Sequence, residues 1–339
     1  MNYKVRALPS GHEFEVAGDE TILDAALRSG LAFPYGCRSG ACGACKGKII
    51  EGAITYGDEE PMALSEEEAA QGIALLCLAK PTSDIKLRIK EVGALEEIPV
   101  RNLPTKVAKM ERLNDDVMKL SLKLPESDRL QFLAGQYVEF LLKHGKRRAF
   151  SIANAPHDDA FLTFHIRLIR GGEFTAHVFD DMQEGELLRI EGPHGSFFMR
   201  EDSDRPMLML ATGTGFGPIK GIIEHAIAEK SKRPLYLYWG ARHKDDLYLD
   251  ALVRSWTEQY PHIHYIPVLS QPRPEDEWHG RTGHVQDAAL ADFTDLRDFE
   301  LYACGHPQMV HAAKEALMTR GIDPEHCFSD AFEWAKDAK

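Results

Sequence analysis

Apolar residues recur along this chain in three successive rhythms. Up to about Val92, short alternating runs mix with brief helical stripes. Residues 3–16 read as two strands around Pro9-Ser10-Gly11. Thr21, with Asp24 three positions on, caps a helix whose apolar stripe is Ile22, Ala25, Ala26 and Leu27, and Gly30 stops it. A loop of small residues follows, then a strand and turn through Ile49, Ile50 and Ile54. Ser65 and Glu68 form a second capping box, Gly72 ends that short helix, and residues 73–79 read as an apolar strand.

From Ala94 to Pro104 the periodicity lapses into two prolines and mixed charge, the pattern of a linker. Residues 117–124, 137–142, 161–169 and 187–191 then alternate as short, evenly spaced strands with Gly and Pro turns, which predicts an antiparallel barrel. The last rhythm is strand at 207–211, helix at 219–228, strands at 235–239, 263–269 and 301–303, and helix at 309–318. Alternating strand and helix predicts a parallel α/β sheet. The expected architecture is therefore multidomain, α+β then α/β: a first domain over 1–93, a linker over 94–104, a barrel over 105–200 and a nucleotide-type domain over 201–339. No internal repeat or low-complexity segment interrupts it.

Composition changes this picture little. A chain of 339 residues is long for one core, 44% apolar content can build several, and 27% charged residues keep the surface wet. The longest apolar run is strand-sized, too short for a membrane span, and the N-terminus has no secretory h-region. The expected location is the cytoplasm, with Cys304 and Cys327 reduced. A formal charge of −13 without a basic patch excludes nucleic acid as a partner. An acidic surface either steers a basic docking face of another protein or simply keeps the chain in solution.

Four of the six cysteines carry the strongest signal. Cys37, Cys42 and Cys45 form a C-x4-C-x2-C run, and Cys77 follows Leu75-Leu76 well downstream. That is the plant-type spacing for a [2Fe–2S] cluster held by four thiolates. Gly36, Ser39, Gly40, Ala41, Gly43 and Ala44 are small, so the backbone can wrap tightly and aim its N–H groups at negatively charged sulfurs. Zinc sites favour two close cysteine pairs, and Cys77 has no near neighbour. Disulfides belong to small secreted domains.

Two Gly-rich turns follow. Gly171-Gly172-Glu173-Phe174-Thr175 leads into a helical run, and the free N–H groups of such a turn seat phosphate; Thr175 serves as a cap, a phosphate ligand, or both. Residues 209–218, Met-Leu-Ala-Thr-Gly-Thr-Gly-Phe-Gly-Pro, close a strand and open a helix, where dinucleotide phosphates bind in α/β sheets. His262 and His264 alternate on one face of a strand and read as a surface or edge position; the other histidines are scattered singly.

Taken in order, these motifs resemble the ferredoxin–NADP reductase superfamily, in particular reductase components that begin with a plant-type ferredoxin domain. The resemblance covers nearly the whole chain. It implies a β-grasp ferredoxin fold for the first domain and a flavin barrel for the second. Arg148-Ala149-Phe150-Ser151 is similar to the family's Arg-x-Tyr-Ser motif. There the Arg contacts the flavin phosphates, the aromatic packs on the isoalloxazine, and the Ser hydroxyl approaches N5. Phe150 departs from the pattern by one hydroxyl. Gly172, Phe174 and Thr175 fall where the family seats flavin phosphate, and family precedent favours FAD over FMN. Gly213, Thr214, Gly215 and Pro218 look like its G-T-G-x-x-P turn. Gly240 and Arg242 match part of its adenosine site, and Cys304, Gly305, Pro307 and Met309 its C-G-x-P-x-M motif, whose Cys lies near the nicotinamide. For Cys304 the plainer reading is a small buried residue at a strand end. Asp245 and Asp246 disfavour a 2′-phosphate while Arg242 and Lys244 cut the other way, so NADH is expected rather than NADPH. Phe332 either covers the flavin or is an ordinary core aromatic, and residues 333–339 extend past it. The implied activity passes electrons from NADH to FAD to the cluster to a partner protein, either a deoxysugar dehydrase or an oxygenase component. A pure electron carrier is the alternative outside enzymes, and intact Arg148, Ser151, Gly213 and Gly215 weigh against it.

Overall fold

The computed structural model describes residues 2–95 and 98–332, and the chain divides into two compact units. The first holds residues up to Pro99 with a C-terminal segment that begins at Ser329; the second runs from Val100 to Phe328.

In the first unit, β1 (Asn2–Leu8) and β2 (Glu13–Ala17) form a hairpin, followed by α1 (Ile22–Arg28), β3 (Lys46–Glu51), β4 (Ile54–Thr55), α2 (Glu66–Ala70), β5 (Ile73–Leu75), β6 (Lys80–Pro81) and β7 (Ile85–Arg88). The main sheet has the order β2-β1-β7-β3-β5, with β1 and β7 parallel, and β4 and β6 pair separately. Both helix starts are as the sequence requires. The Thr21 hydroxyl accepts from the Asp24 N–H at 3.1 Å, and Ser65 and Glu68 complete a reciprocal box. Each such cap stabilises its helix by about 1 kcal/mol. Ile22, Ala25 and Ala26 are fully buried, against a core that includes Val5, Val16, Leu75 and Leu87.

The apolar run at 73–79 is not one strand. Only Ile73–Leu75 is extended; a turn follows, in which the N–H groups of Leu78 and Ala79 both donate to the Leu75 carbonyl (3.1 and 3.0 Å). The run is apolar because the turn is buried. It also completes α1: the N–H groups of Ile22 and Leu23, left over at a helix start, donate to the carbonyls of Ala79 (2.9 Å) and Leu76 (3.0 Å).

The second unit opens with an antiparallel sheet of order β11-β10-β13-β8-β9-β12. Its strands are β8 (Arg101–Arg112), β9 (Val117–Lys123), β10 (Tyr137–Leu141), β11 (Arg147–Ser151), β12 (Leu162–Arg167) and β13 (Leu187–His194), with α3 (Glu173–Asp180) between the last two. The linker expected over 94–104 therefore ends by Val100, since Arg101 to Pro104 already pair with β13. Pro104 is tolerated because β9 joins β8 only from Lys106, so the missing N–H falls where the strand has one neighbour. The barrel core is Val138, Phe140, Ile152, Phe164, Phe174 and Ile190 with their neighbours.

The third sheet has the order β17-β16-β15-β14-β18-β19. It is built from β14 (Met207–Thr212), α4 (Phe216–Ala228), β15 (Leu235–Ala241), α5 (Asp250–Gln259), β16 (Ile263–Leu269), β17 (Arg281–Thr282), α6 (Val285–Asp292), β18 (Glu300–Gly305), α7 (Pro307–Met318) and β19 (Cys327–Ala331). β14 pairs in parallel with β15 and β18. Residues 207–211 are all buried, as a central strand covered on both faces demands.

Candidate functional site

Cys37, Cys42, Cys45 and Cys77 converge in the first unit, and all but Cys37 are buried. Backbone amides surround the sulfurs. The Sγ of Cys37 accepts from the N–H groups of Ala41 and Cys42 (both 3.3 Å), and that of Cys42 from those of Cys37 and Ala44 (both 3.4 Å). Cys77 stands in the turn that caps α1, not in a strand, and the Leu76 N–H ties that turn to the Cys45 carbonyl at 3.1 Å. Gly40 is required: at φ +84°, a Cβ would lie 2.5 Å from Leu78 Cδ1. The Cys42 thiol holds the Cys37 thiol down at about 5, and Cys77 lowers Cys45 in the same way. Their partners Cys42 and Cys77 are pushed up by the same pairings and by burial. Four paired thiols of this kind, two of them met by backbone N–H donors, suit a polycationic iron centre that would take them all as thiolates.

In the second unit β11 is the edge strand of its sheet, and the pleat splits Arg148-Ala149-Phe150-Ser151 between two faces. Arg148 and Phe150 lie opposite Phe140 and Val138, on the side of the barrel core. The Phe150 ring packs edge-on against Phe140 (5.4 Å) and beside Phe174 (5.4 Å) while staying half-exposed. Ala149 and Ser151 face the other way. Ser151 is opposite Tyr137, which is opposite His194, its ring 5.5 Å from the imidazole. Farther along this face Arg147 closes on Glu139 (2.7 Å) and Glu191 (2.5 Å), so that acidic pair already has its cation.

The turn before α3 corrects the expectation that Thr175 caps the helix. The N-cap is Gly172, with no side-chain cap. The buried Thr175 hydroxyl instead takes the Ile169 N–H at 3.1 Å and stitches the preceding loop shut. The Phe174 ring sits in the barrel core against Phe140 (5.1 Å).

The turn Gly213-Thr214-Gly215 and the turn after β18 meet as two backbones in close approach. A Cβ on Gly215 would fall 2.2 Å from the Cys304 carbonyl oxygen, and the Thr212 hydroxyl takes the His306 N–H at 3.2 Å. Pro218 lies buried in the first turn of α4, and Pro307 opens α7, positions where no intrahelical N–H is lost. Cys304 and Met309 are buried. Gly240, next to the last residue of β15, lies beside Thr212 and gives α6 room, since a Cβ there would meet Val285 at 2.7 Å. Arg242 follows, exposed. Phe332 is half-buried after β19 and groups with the first unit; residues 333–339 lie outside the described residues.

Sequence reading missed two side chains here. Arg167, at the end of β12, pairs with Asp116 at 2.8 Å and stands against the glycine turn, its Nη1 2.7 Å from where a Gly213 Cβ would be. His165 is buried beside Gly217 with its Nδ1 3.1 Å from the Tyr248 hydroxyl, and burial, with Lys220 and Lys119 nearby, drops its pKa to about 3. The alternation of β12 carried the signal: Leu162, Phe164 and Ile166 fill the barrel, so Thr163, His165 and Arg167 must point away from it.

Comparison with known proteins agrees with this geometry. Three family descriptions match in order: a 2Fe-2S iron-sulfur cluster binding domain over residues 5–82, an oxidoreductase FAD-binding domain over 104–199 and an oxidoreductase NAD-binding domain over 209–315. The chain belongs to the family of reductases that join these three domains in one polypeptide. The CDP-6-deoxy-L-threo-D-glycero-4-hexulose-3-dehydrase reductase of Yersinia pestis is 39% identical over 98% of this chain and 99% of its own length. Terephthalate 1,2-dioxygenase reductase component 1 of Comamonas sp. is 33% identical, over 98% of each chain. Among solved structures, the Amycolatopsis cytochrome P450 reductase GcoB matches with a TM-score of 0.77 and 32% identity, covering 98% of this chain and 100% of that one. The chain is an NAD(P)H-dependent oxidoreductase of iron–sulfur flavoprotein type. Among the described residues no helix is long and apolar enough to cross a membrane.

Proposed function

We propose that this protein is the NADH-oxidising reductase of a two-component system, serving a deoxysugar dehydrase. The observation that carries the catalytic part is the close approach of the Gly213–Gly215 turn to Cys304-Gly305 in the same unit as the Arg148–Ser151 strand. When bound, FAD would supply two-electron hydride chemistry and a plant-type [2Fe–2S] cluster held by the four cysteines would supply one-electron chemistry.

The protein's own residues bind and orient. Arg148 offers a fixed cation for pyrophosphate, with N–H groups at the start of α3 as a second seat. Phe150 gives a half-exposed ring face, and Ser151 a hydroxyl for the flavin's reactive edge. Gly213, Thr214 and Gly215 let the coenzyme's phosphates approach the backbone, with Arg167 as the nearby cation, and Cys304 backs the nicotinamide. Cys37, Cys42, Cys45 and Cys77 are the residues that would ligate the iron.

NADH is favoured because the basic groups near the end of β15 are largely engaged. Lys244 donates to the Asp276 carbonyl (3.3 Å), and Arg273 pairs with Asp276 (3.3 Å) and Asp245 (3.4 Å). Arg242 offers an exposed cation for a 2′-phosphate, while the likewise exposed Lys244 is tied to the Asp276 carbonyl. The acceptor is assigned from the Yersinia relative, and an oxygenase acceptor is the second reading, favoured by the Comamonas one. Either acceptor goes with a cytoplasmic location, where thiolates stay reduced.

Anaerobic titration tests the catalytic part: NADH should bleach flavin and cluster at least tenfold more efficiently than NADPH. Failure of both coenzymes to bleach the fully loaded protein would leave only a carrier. Cross-linking the NADH-reduced protein in native extract, with mass spectrometry of what is captured, decides the acceptor. A sugar dehydrase supports the first reading, and an oxygenase component replaces it.

A further inference from the structure

The cysteine loop contains one polar atom that the protein leaves unsatisfied. The Oγ of Ser39 is shut off from solvent and has no hydrogen-bond partner of proper geometry. Burying a hydroxyl without a partner is costly, and native structures seldom tolerate it without a reason. Ser39 is also the only hydroxyl between Cys37 and Cys45. It sits between two residues in left-handed conformation, Arg38 (φ 60°) and Gly40 (φ 84°), so its place is set by two successive turns.

What it faces is sulfur. Ser39 stands two residues after Cys37 and two before Ala41, whose N–H donates to the Cys37 sulfur at 3.3 Å, so its buried hydroxyl lies in the turn that wraps that sulfur. The amides nearby are already committed, those of Ala41 and Cys42 to the Cys37 sulfur and those of Cys37 and Ala44 to that of Cys42. A thiol sulfur is a weak acceptor, which explains why the hydroxyl finds no bond of good geometry with it. A ligating thiolate carries the negative charge that a hydroxyl bonds well.

We propose that Ser39 sets the reduction potential of the cluster, its hydroxyl donating a hydrogen bond to the Cys37 sulfur once that sulfur ligates iron. The bond strengthens as the centre takes up one electron and its sulfurs grow more negative, so it favours the reduced state. No covalent bond is made or broken, and the hydroxyl keeps its proton. Ser39 thereby makes onward transfer to the cluster easier without touching flavin or coenzyme. This rests on the iron–sulfur reading of the four cysteines.

The test is an EPR-monitored redox titration of full-length, FAD-loaded wild type, Ser39→Ala, Ser39→Gly and Ser39→Thr. Ala and Gly delete the hydroxyl and Thr keeps it. At a fixed ambient potential the reduced-to-oxidised ratio should fall about tenfold in the deletions, a shift of about 59 mV for a one-electron couple, and stay within about twofold of wild type in Thr. Deletions within twofold of wild type overturn the proposal, as does an equal shift in Thr, which would mark packing rather than the hydroxyl. If neither deletion assembles its centre, resonance Raman of wild type decides: Fe–S stretches should shift within seconds of transfer to deuterated water, as a hydroxyl exchanges faster than a buried amide. No fast shift overturns it. Absence of any iron–sulfur signal in wild type would instead fail the cluster reading itself.

Discussion

Replacing Gly215 by alanine should damage coenzyme use far more than anything else the protein does. The new methyl would stand 2.2 Å from the carbonyl oxygen of Cys304, 2.5 Å from its carbon and 2.7 Å from Gly305 Cα. These are backbone atoms and cannot rotate aside, so the ends of β14 and β18 must part by about 1 Å to regain normal contact. Such overpacking costs about 1–3 kcal/mol, which for a unit of this size lowers Tm by a few degrees. A displacement of about 1 Å between reacting groups costs about 100-fold in rate, or about 2.7 kcal/mol of transition-state stabilisation. The expected variant binds FAD and cluster with wild-type stoichiometry and visible spectrum, is reduced normally by dithionite, and loses about two orders of magnitude in kcat/KM for NADH in stopped flow. Gly93→Ala is the control, because a Cβ there meets nothing within 4 Å. Wild-type NADH kinetics in Gly215→Ala would refute the assignment of this turn to the coenzyme. Parallel loss of FAD, cluster and NADH reactivity would refute the local geometry and point to global unfolding.

Other consequences are as direct. His165 is neutral in the fold with a pKa of about 3, against about 6.5 when exposed, so the unfolded chain binds the extra proton first. The stability it contributes is complete above about pH 6.5 and drains as pH falls towards 3, by up to about 5 kcal/mol; His165→Asn should flatten the fall of apparent Tm over that window, and an unchanged profile sinks the claim. Cys77→Ser should abolish the cluster's EPR signal and electron delivery to the partner while sparing NADH-to-ferricyanide activity at the flavin; loss of both would mean that the turn at 76–78 supports more than the iron. Phe150→Tyr should keep the fold, because the ring is only half-buried, and tighten FAD about fivefold by fluorescence titration through one added hydrogen bond; equal or weaker binding counts against the flavin assignment. Limited proteolysis should cut between residues 94 and 100 and release a red fragment, whereas first cuts beyond Arg101 would contradict the pairing of β8.

The sequence was most legible where chemistry fixes spacing. Four cysteines, two helix N-caps and two glycine turns are dictated by metal, helix ends and close backbone approach, so they read directly. It was least legible where burial and extension look alike. Residues 73–79 are apolar as a strand would be, yet only 73–75 is strand and the rest is a buried turn whose carbonyls serve α1. Residues 101–104 carry a linker's proline but form a strand, because only one neighbour needs the N–H there. Thr175 read as a cap because a hydroxyl near a helix start usually is one, and the tertiary loop through Ile169 claimed it first. α5 and α6 went unread, since α5 buries only Val253 and Trp256 and α6 is eight residues long. Arg167 and His165 were visible in the alternation of β12, but only to a reader who already knew which face the barrel kept.

The exposed turn between β10 and β11 illustrates how a surface loop can be closed to evolutionary drift. Loops of this kind ordinarily absorb insertions and deletions freely. Here the Leu142 N–H donates to the Lys146 carbonyl at 2.8 Å and fixes the hairpin's count. One residue more or fewer, taken up as a slip of β11, would exchange its two faces. Arg148 and Phe150 would move to the side of Tyr137 and His194, and Ser151 to the side of Phe140. Variation in length at residues 142–146 should therefore be rare among descendants of this chain, and libraries that diversify loops for new acceptors should keep that segment's length constant while varying its composition.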